Sequence, residues 1–448
     1  MTDSVTPISG STASAIADSV RDLVSRGELA PGDALPPIRT LAGQLRVNRN
    51  TVAAAYRQLV SAGMAQAGGR RGTAIADIPH LDSERRPAAN LIDLASGNPD
   101  PRLLPDLLQA IGRTRYQTTL YGAPAIDAGL MTVARRLFAA DLGEAEDNRE
   151  IVVTHGAVDA VERVLNSCLA RGDAVAMEDP CFLVSIGTVR LNGYRRIPVP
   201  VDKQGMTVPG LQDAIANRGA RAVIITPRSH NPTGVSIDAH RATKLRSVLA
   251  KYPEVLVVED DYFSLLSSAP YCRVTPASTY NWALVRSVAK FLGPDIRLAL
   301  VATNPQTAQI LGARLRAGKT WVSHLLQAAT ATLLTDRATA AQLSRARKAY
   351  ATRSQLLTKA LADKGIAPLG NPDGLNLWID LPDAESVATT MTRLTDAGWA
   401  VQPGDIFAVD PFQPRHGIRV TSATIAKSAA SEFAADLAKI LDPNTFRY

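Results

Sequence analysis

Lys290 stands directly behind the apolar run WALVRSVA. A lysine delivered into a pocket at the end of a buried strand can lose its charge and bond an aldehyde carbon. Asp260 closes a second apolar run, VLVVED, where a carboxylate can hold a proton on a pyridine nitrogen. Tyr262 and Asn231 carry donors suited to a ring oxygen beside the aldehyde. Ser287 and Arg297 offer donors to a phosphate. A helix opening at Gly156 and Ala157, after the run IVVT, would add free backbone N–H groups at its positive end. Phe182 can stack on a flat ring. Each residue alone is ambiguous. Together they partner ring nitrogen, ring oxygen, aldehyde and phosphate, the functional groups of pyridoxal phosphate.

Positioning these groups requires a sheet. From residue 91 onward, short apolar runs alternate with helical patterns: IVVT, AVAM, RAVIITP, VLVVEDDYF and WALVRSVAK. That texture predicts a mostly parallel sheet covered by helices on both faces. Ligands of such sheets bind beyond the carboxyl ends of the strands, where the residues above fall.

The first seventy-five residues read differently. Ile16, Val20 and Leu23 recur at helical spacing within residues 12–26. GELAPGD makes a turn, and a short helix starts near Pro37. RVN turns the chain again into a helix capped by Asn48 and stopped by Gly63. This is a helix-turn-helix pattern whose second helix would enter a DNA major groove by its N-terminal residues, Arg49, Asn50 and Thr51. Arg39, Tyr56 and Arg57 are placed for phosphate. Residues 64–75 read as a hairpin expected to turn at Gly68 and Gly69, with Arg70 and Arg71 near its tip as a wing. From Arg39 to Arg71 there are six arginines and no acid, a local positive patch that attracts a phosphate backbone. Residues 76–90, polar and without periodicity, read as a linker between residues 1–75 and 91–448. A helical cap that binds protein is the rival reading of the N-terminal unit.

The rest of the composition excludes more than it identifies. With 46% hydrophobic and 20% charged residues, the chain is an ordinary globular one. Cys168, Cys181 and Cys272 are far apart and match no metal-ligand spacing, so they read as reduced cytosolic thiols and no metal site is expected. The N-terminus has no signal-peptide pattern, and no apolar run approaches the roughly 20 residues that span a bilayer, so a cytoplasmic protein without membrane contact is expected.

Two family resemblances sharpen this. LPPIRTLAGQLRVNRNTVAAAYRQLVSAG resembles the winged helix-turn-helix of the GntR family, with Leu35, Pro36, Arg39, Arg49, Thr51, Tyr56 and Gly63 in register; Pro37 and Asn48 depart from its common serines. Residues 91–448 resemble a fold type I, class I/II aminotransferase through SVAKFLGPDIRLA, HNPTG, EDDY and EDPCF. That resemblance implies an α/β large domain (about 122–330) and an α+β small domain (about 91–121 and 331–448). It implies Lys290 as the Schiff-base lysine, Asp260 on the pyridine nitrogen, Tyr262 on the ring oxygen and Phe182 as the stacking aromatic. Tyr121 in LYGAP would reach the phosphate of a neighbouring subunit, and Arg419 in HGIRVTSA would grip a substrate or effector carboxylate. A GntR head on an aminotransferase-like body is the MocR arrangement. Membership implies a head-to-tail homodimeric transcriptional regulator that binds a double-stranded operator and takes a vitamer or an amino compound as effector. Within that family the body segments resemble repressors of vitamin B6 salvage, with pyridoxal phosphate as effector and a pyridoxal kinase gene as target. A regulator sensing an amino acid or amine, and a working aminotransferase, stay open on the residues alone.

Overall fold

A computed structural model describes residues 8–67, 72–76, 87–88, 90–143, 149–317 and 321–442. The chain divides into two compact units, a head and a body.

In the head, α1 (Ala13–Ser25), α2 (Ile38–Leu45) and α3 (Arg49–Ser61) precede a hairpin of β1 (Ala65–Ala67) and β2 (Thr73–Ile75). Thr12 caps α1 by accepting from the Ala15 N–H at 3.2 Å, and Asn48 caps α3 by accepting from the Asn50 N–H at 2.8 Å. Ile16, Val20 and Leu23 on α1 are fully buried and share a core with Leu41, Val52 and Leu59. The apolar stripe, not helix propensity, therefore holds these short helices. The hairpin is antiparallel, pairing Ala65 with Ile75 and Ala67 with Thr73. Its expected tip, Arg70 and Arg71, lies outside the described residues, as do 77–86 and 89 of the expected linker.

The body opens with β3 (Ile92–Asp93). Its main sheet comprises β4 (Glu150–Thr154), β5 (Ala174–Asp179), β6 (Arg195–Asp202), β7 (Gly205–Met206), β8 (Ala220–Ile225), β9 (Leu256–Asp260), β10 (Trp282–Ser287) and β11 (Ala299–Thr303), in the order β4-β11-β10-β9-β8-β5-β6-β7. Strands β5, β8, β9 and β10 run parallel, while β11 is antiparallel to both neighbours. The apolar runs fit this placement, because a strand covered on both faces has no polar side to alternate with.

A smaller layer holds β12 (Asn376–Asp380), β13 (Trp399–Ala400), β14 (Gln402–Pro403) and β15 (Gly417–Thr421), with β3 paired to β13. Its core gathers Leu94, Leu377, Trp399, Ile418 and Phe433, apart from the larger core around the main sheet. Ala110, in the helix Leu107–Arg113, packs into the larger core, so segment 91–121 serves both. The long helix Arg337–Ala362 also serves both: Tyr350 packs in the larger core, Leu357 and Leu361 in the smaller.

Candidate functional site

The carboxyl ends of β4, β8, β9 and β10 deliver the expected groups. Asp260 is the last residue of β9. Its Oδ1 is buried with no hydrogen-bond partner. Burial, and secondarily the charge of Asp261, lifts its pKa to about 7. A buried acceptor left open in this way suits a ring N–H. Tyr262 donates its hydroxyl to the Ser229 carbonyl at 2.6 Å, which ties the loop after β9 to the turn carrying Asn231. Asn231 is buried, and its side-chain oxygen accepts from Arg419 Nη1 at 3.1 Å and from Asn376 at 3.3 Å.

The phosphate end is equally local in origin. The helix Ala157–Cys168 starts at Gly156 (φ +96°), which has no side-chain cap, so its first N–H groups keep their acceptor demand. A Cβ on Gly156 would sit 3.9 Å from the Arg297 guanidinium, which places that cation beside the helix start. Ser287 ends β10, and its oxygen accepts from the Ala289 N–H at 3.2 Å, leaving its own proton for another acceptor. This cradle of backbone donors, one hydroxyl and one guanidinium fits a phosphate.

Lys290 follows β10 and donates from Nζ to the Gly97 carbonyl at 2.8 Å. Arg419, fully buried on β15, donates to the Ala95 carbonyl, two residues before Gly97. The segment Ala95–Gly97 thus touches both cations, and a Cβ on Gly97 (φ +63°) would lie 3.3 Å from each terminal nitrogen of Arg419. Sequence reading missed Gly97; the signal available was the SGNPD turn. Phe182 is partly buried behind Cys181, whose N–H donates to the Phe407 carbonyl at 2.8 Å. Tyr121 is 88% exposed in the single chain, its ring against Trp321.

Two buried groups behind this wall were also missed. Glu178, at the end of β5, lies 3.3 Å from His230. Burial pushes the acid up and the imidazole down, so it disfavours the charged form of each. Asp261 accepts from Arg228 at 2.7 and 2.8 Å and from Arg286 at 2.9 Å, and Asp141 closes the cluster against Arg286. Such charges are tolerated in a core only when each is paired.

In the head, Arg39, Arg49, Asn50 and Arg57 are exposed and Thr51 is half-buried. The expectation for Tyr56 is corrected. Its ring is 4% exposed and its hydroxyl donates to the Pro36 carbonyl at 2.7 Å, so it braces the turn before α2 rather than meeting a phosphate.

Residues 12–75 match the family model of bacterial regulatory proteins, gntR family, and residues 89–437 match aminotransferase class I and II. The chain belongs to the MocR family. Like other MocR regulators it joins a GntR helix-turn-helix head to an aminotransferase-like body. It is 46% identical to the vitamin B6 salvage pathway transcriptional repressor PtsJ of Salmonella typhimurium, over 97% of this chain and 100% of that protein. It is 26% identical to the pyridoxine biosynthesis regulator PdxR of Corynebacterium glutamicum, over 84% of this chain and 85% of that one. The body shares the fold of LysN, an α-aminoadipate aminotransferase of Thermus thermophilus solved with N-(5'-phosphopyridoxyl)-L-leucine (TM-score 0.67, 22% identity, 79% of this chain and 92% of that one). The MocR assignment thus agrees with the resemblance read from the motifs. Among the described residues no helix is long and apolar enough to cross a membrane, and no cluster of candidate metal ligands occurs.

Proposed function

We propose that this MocR regulator is a cytoplasmic, homodimeric repressor of a vitamin B6 salvage gene, with pyridoxal phosphate as effector and a pyridoxal kinase gene as target. The observation that carries the proposal is the 46% identity to PtsJ, which runs through both head and body. The site supports it, since a ring-nitrogen partner, a phosphate cradle and Lys290 lie at one edge of one sheet. When bound, the cofactor supplies an aldehyde for an amine and a pyridine that withdraws electrons. Lys290 would present Nζ to that aldehyde and Asp260 would accept from the ring nitrogen. Gly156, Ala157, Ser287 and Arg297 would hold the phosphate, Asn231 and Tyr262 the ring oxygen, and Phe182 one ring face. Exposed Tyr121 would complete the phosphate site of a partner in a head-to-tail dimer. Arg49, Asn50 and Thr51 would read base edges, with Arg39, Arg57, Arg70 and Arg71 on phosphate.

The test is binding of the full-length protein to a duplex from the region upstream of the pyridoxal kinase gene, with and without pyridoxal phosphate. A change in affinity that Lys290→Ala abolishes is expected. Equal affinity in both conditions would refute the effector assignment. Arg419 favours a second reading, an amino acid as co-effector, because a buried guanidinium close to Asn231 suits a carboxylate. In that case an amino acid shifts DNA affinity only in the cofactor-loaded protein.

A further inference from the structure

All three head helices end in the same way. An N–H just past the helix reaches back five residues, and the N–H before it closes a shorter loop inside that one. After α1 the pair is Glu28 to Leu23 at 2.9 Å and Gly27 to Val24 at 3.0 Å. After α3 it is Met64 to Leu59 and Gly63 to Val60, both at 2.9 Å. After α2 it is Val47 to Ala42 at 3.0 Å and Arg46 to Gly43 at 3.3 Å. The residue at the centre of this motif must be left-handed. In α1 and α3 it is glycine, at φ +73° and +72°; after α2 it is Arg46, at φ +55°. Glycine takes that conformation freely, and an arginine Cβ crowds the following carbonyl.

Strain of this kind persists where a side chain has work that glycine cannot do. Among the described residues only three non-glycines have positive φ: Arg46, Ser229 and Arg297. Arg297 stands at the phosphate cradle, and Ser229 receives the Tyr262 hydroxyl beside Asn231. Two of the three therefore sit in the candidate cofactor site. Arg46 makes no comparable contact: among the described residues its exposed side chain has no hydrogen bond and no ion pair. Nor does the neighbouring chain offer one, since no acid occurs between Asp33 and Asp77. What does lie near is the start of α3, three residues on at Arg49.

We propose that Arg46 grips the DNA phosphate backbone at the turn into the recognition helix, and that the arginine is kept there for this contact at the expense of backbone strain. The inference rests on the DNA-binding reading of the head. A guanidinium at that turn stands where the groove rim passes a helix-turn-helix unit, so it adds affinity without reading bases.

The test compares full-length wild type, Arg46→Gly, Arg46→Lys and Arg49→Ala. The probes are the duplex upstream of the pyridoxal kinase gene and a scrambled duplex of equal length. Arg46→Gly should melt no lower than wild type yet bind both duplexes about tenfold more weakly, with a salt dependence shallower by about one ion per head. Arg46→Lys should retain the wild-type salt slope. Arg46→Gly with unchanged affinity and slope overturns the proposal, and so does Arg46→Lys as weak as Arg46→Gly. If Arg49→Ala loses binding while Arg46→Gly does not, only the Arg46 assignment fails. If wild type binds neither duplex, the DNA reading of the head fails with it.

Discussion

Replacing Asp260 by asparagine should have opposite effects with and without cofactor. Burial first, then the Asp261 charge, lifts Asp260 from 3.8 to about 7. Each tenfold change in proton affinity is worth about 1.4 kcal/mol, so ionised Asp260 costs the folded body about 4 kcal/mol relative to the unfolded chain. Because the folded value lies above the unfolded one, the folded state holds the extra proton, and stability falls as pH rises from about 4 to about 7. The amide introduced by Asp260→Asn keeps the shape and cannot ionise. In cofactor-free protein the variant's stability advantage over wild type should therefore grow by about 2–3 kcal/mol between about pH 5 and pH 8. Glu178 also titrates in this range, and because the Asp260 charge helps to raise it, its own pH dependence shrinks in the variant and adds to the difference in the same direction. The effect on cofactor binding runs the other way. A pyridinium N–H to an ionised carboxylate is a charge-assisted bond worth roughly 1.5–3 kcal/mol, so the variant should bind pyridoxal phosphate roughly ten to a hundred times more weakly. Urea melts across the pH series measure the first effect, and titration of the cofactor absorbance measures the second. A stability difference that is flat with pH, or undiminished cofactor affinity, would refute the reasoning.

Three further substitutions probe the frame. Gly234 has φ +75° and its Cβ would overlap the Asn376 carbonyl oxygen, so Gly234→Ala should cost about 2–4 kcal/mol, with an unchanged urea midpoint as the contrary result. Arg228→Met leaves Asp261 with Arg286 alone and should cost about 3–5 kcal/mol, read from the same melts; a loss below about 1 kcal/mol would show the cluster to be dispensable. Asn48→Ala removes the cap of α3 and should lower the stability of the head by about 1 kcal/mol, seen as faster amide exchange in α3 and absent from the body.

What could be read from the sequence follows the range of the interactions. The strands were legible because a doubly covered strand writes its burial into one short run, as VLVVED and WALVRS do. Lys290, Asp260 and Gly156 stood out as candidates for the same reason: each follows or closes such a run. Tyr56 was misread although the signal existed, since Val52, Ala55, Tyr56 and Leu59 recur at i, i+3, i+4 and i+7, the stripe of a buried face. The Glu178–His230 pair and the Arg228–Asp261–Arg286–Asp141 cluster left no local mark. Their partners come from β5, the turn after β8, the end of β9, β10 and a helix more than a hundred residues before Asp261, and only the folded sheet brings them together.

The adjacent acids Asp260 and Asp261 show how one strand end can serve both stability and binding. Side chains alternate along an extended chain, so the two carboxylates leave the backbone in different directions. Asp261 meets two guanidiniums, accepts three charge-assisted bonds, and its backbone N–H is held by the Val285 carbonyl of β10 at 2.9 Å. Asp260 receives no such bond at Oδ1, and the charge next door raises its proton affinity further. The paired acid fixes the strand end, and the open one is left with an energetic demand that a ligand can meet. Exchanging the two environments would require moving both arginines, Arg286 on β10 and Arg228 in the turn after β8; Lys290 follows the first of these elements and Asn231 lies in the second. The integrity of the cluster and the placement of the candidate cofactor contacts are therefore coupled: loosening Arg228 or Arg286 should blur the position of Asp260 before it unfolds the sheet.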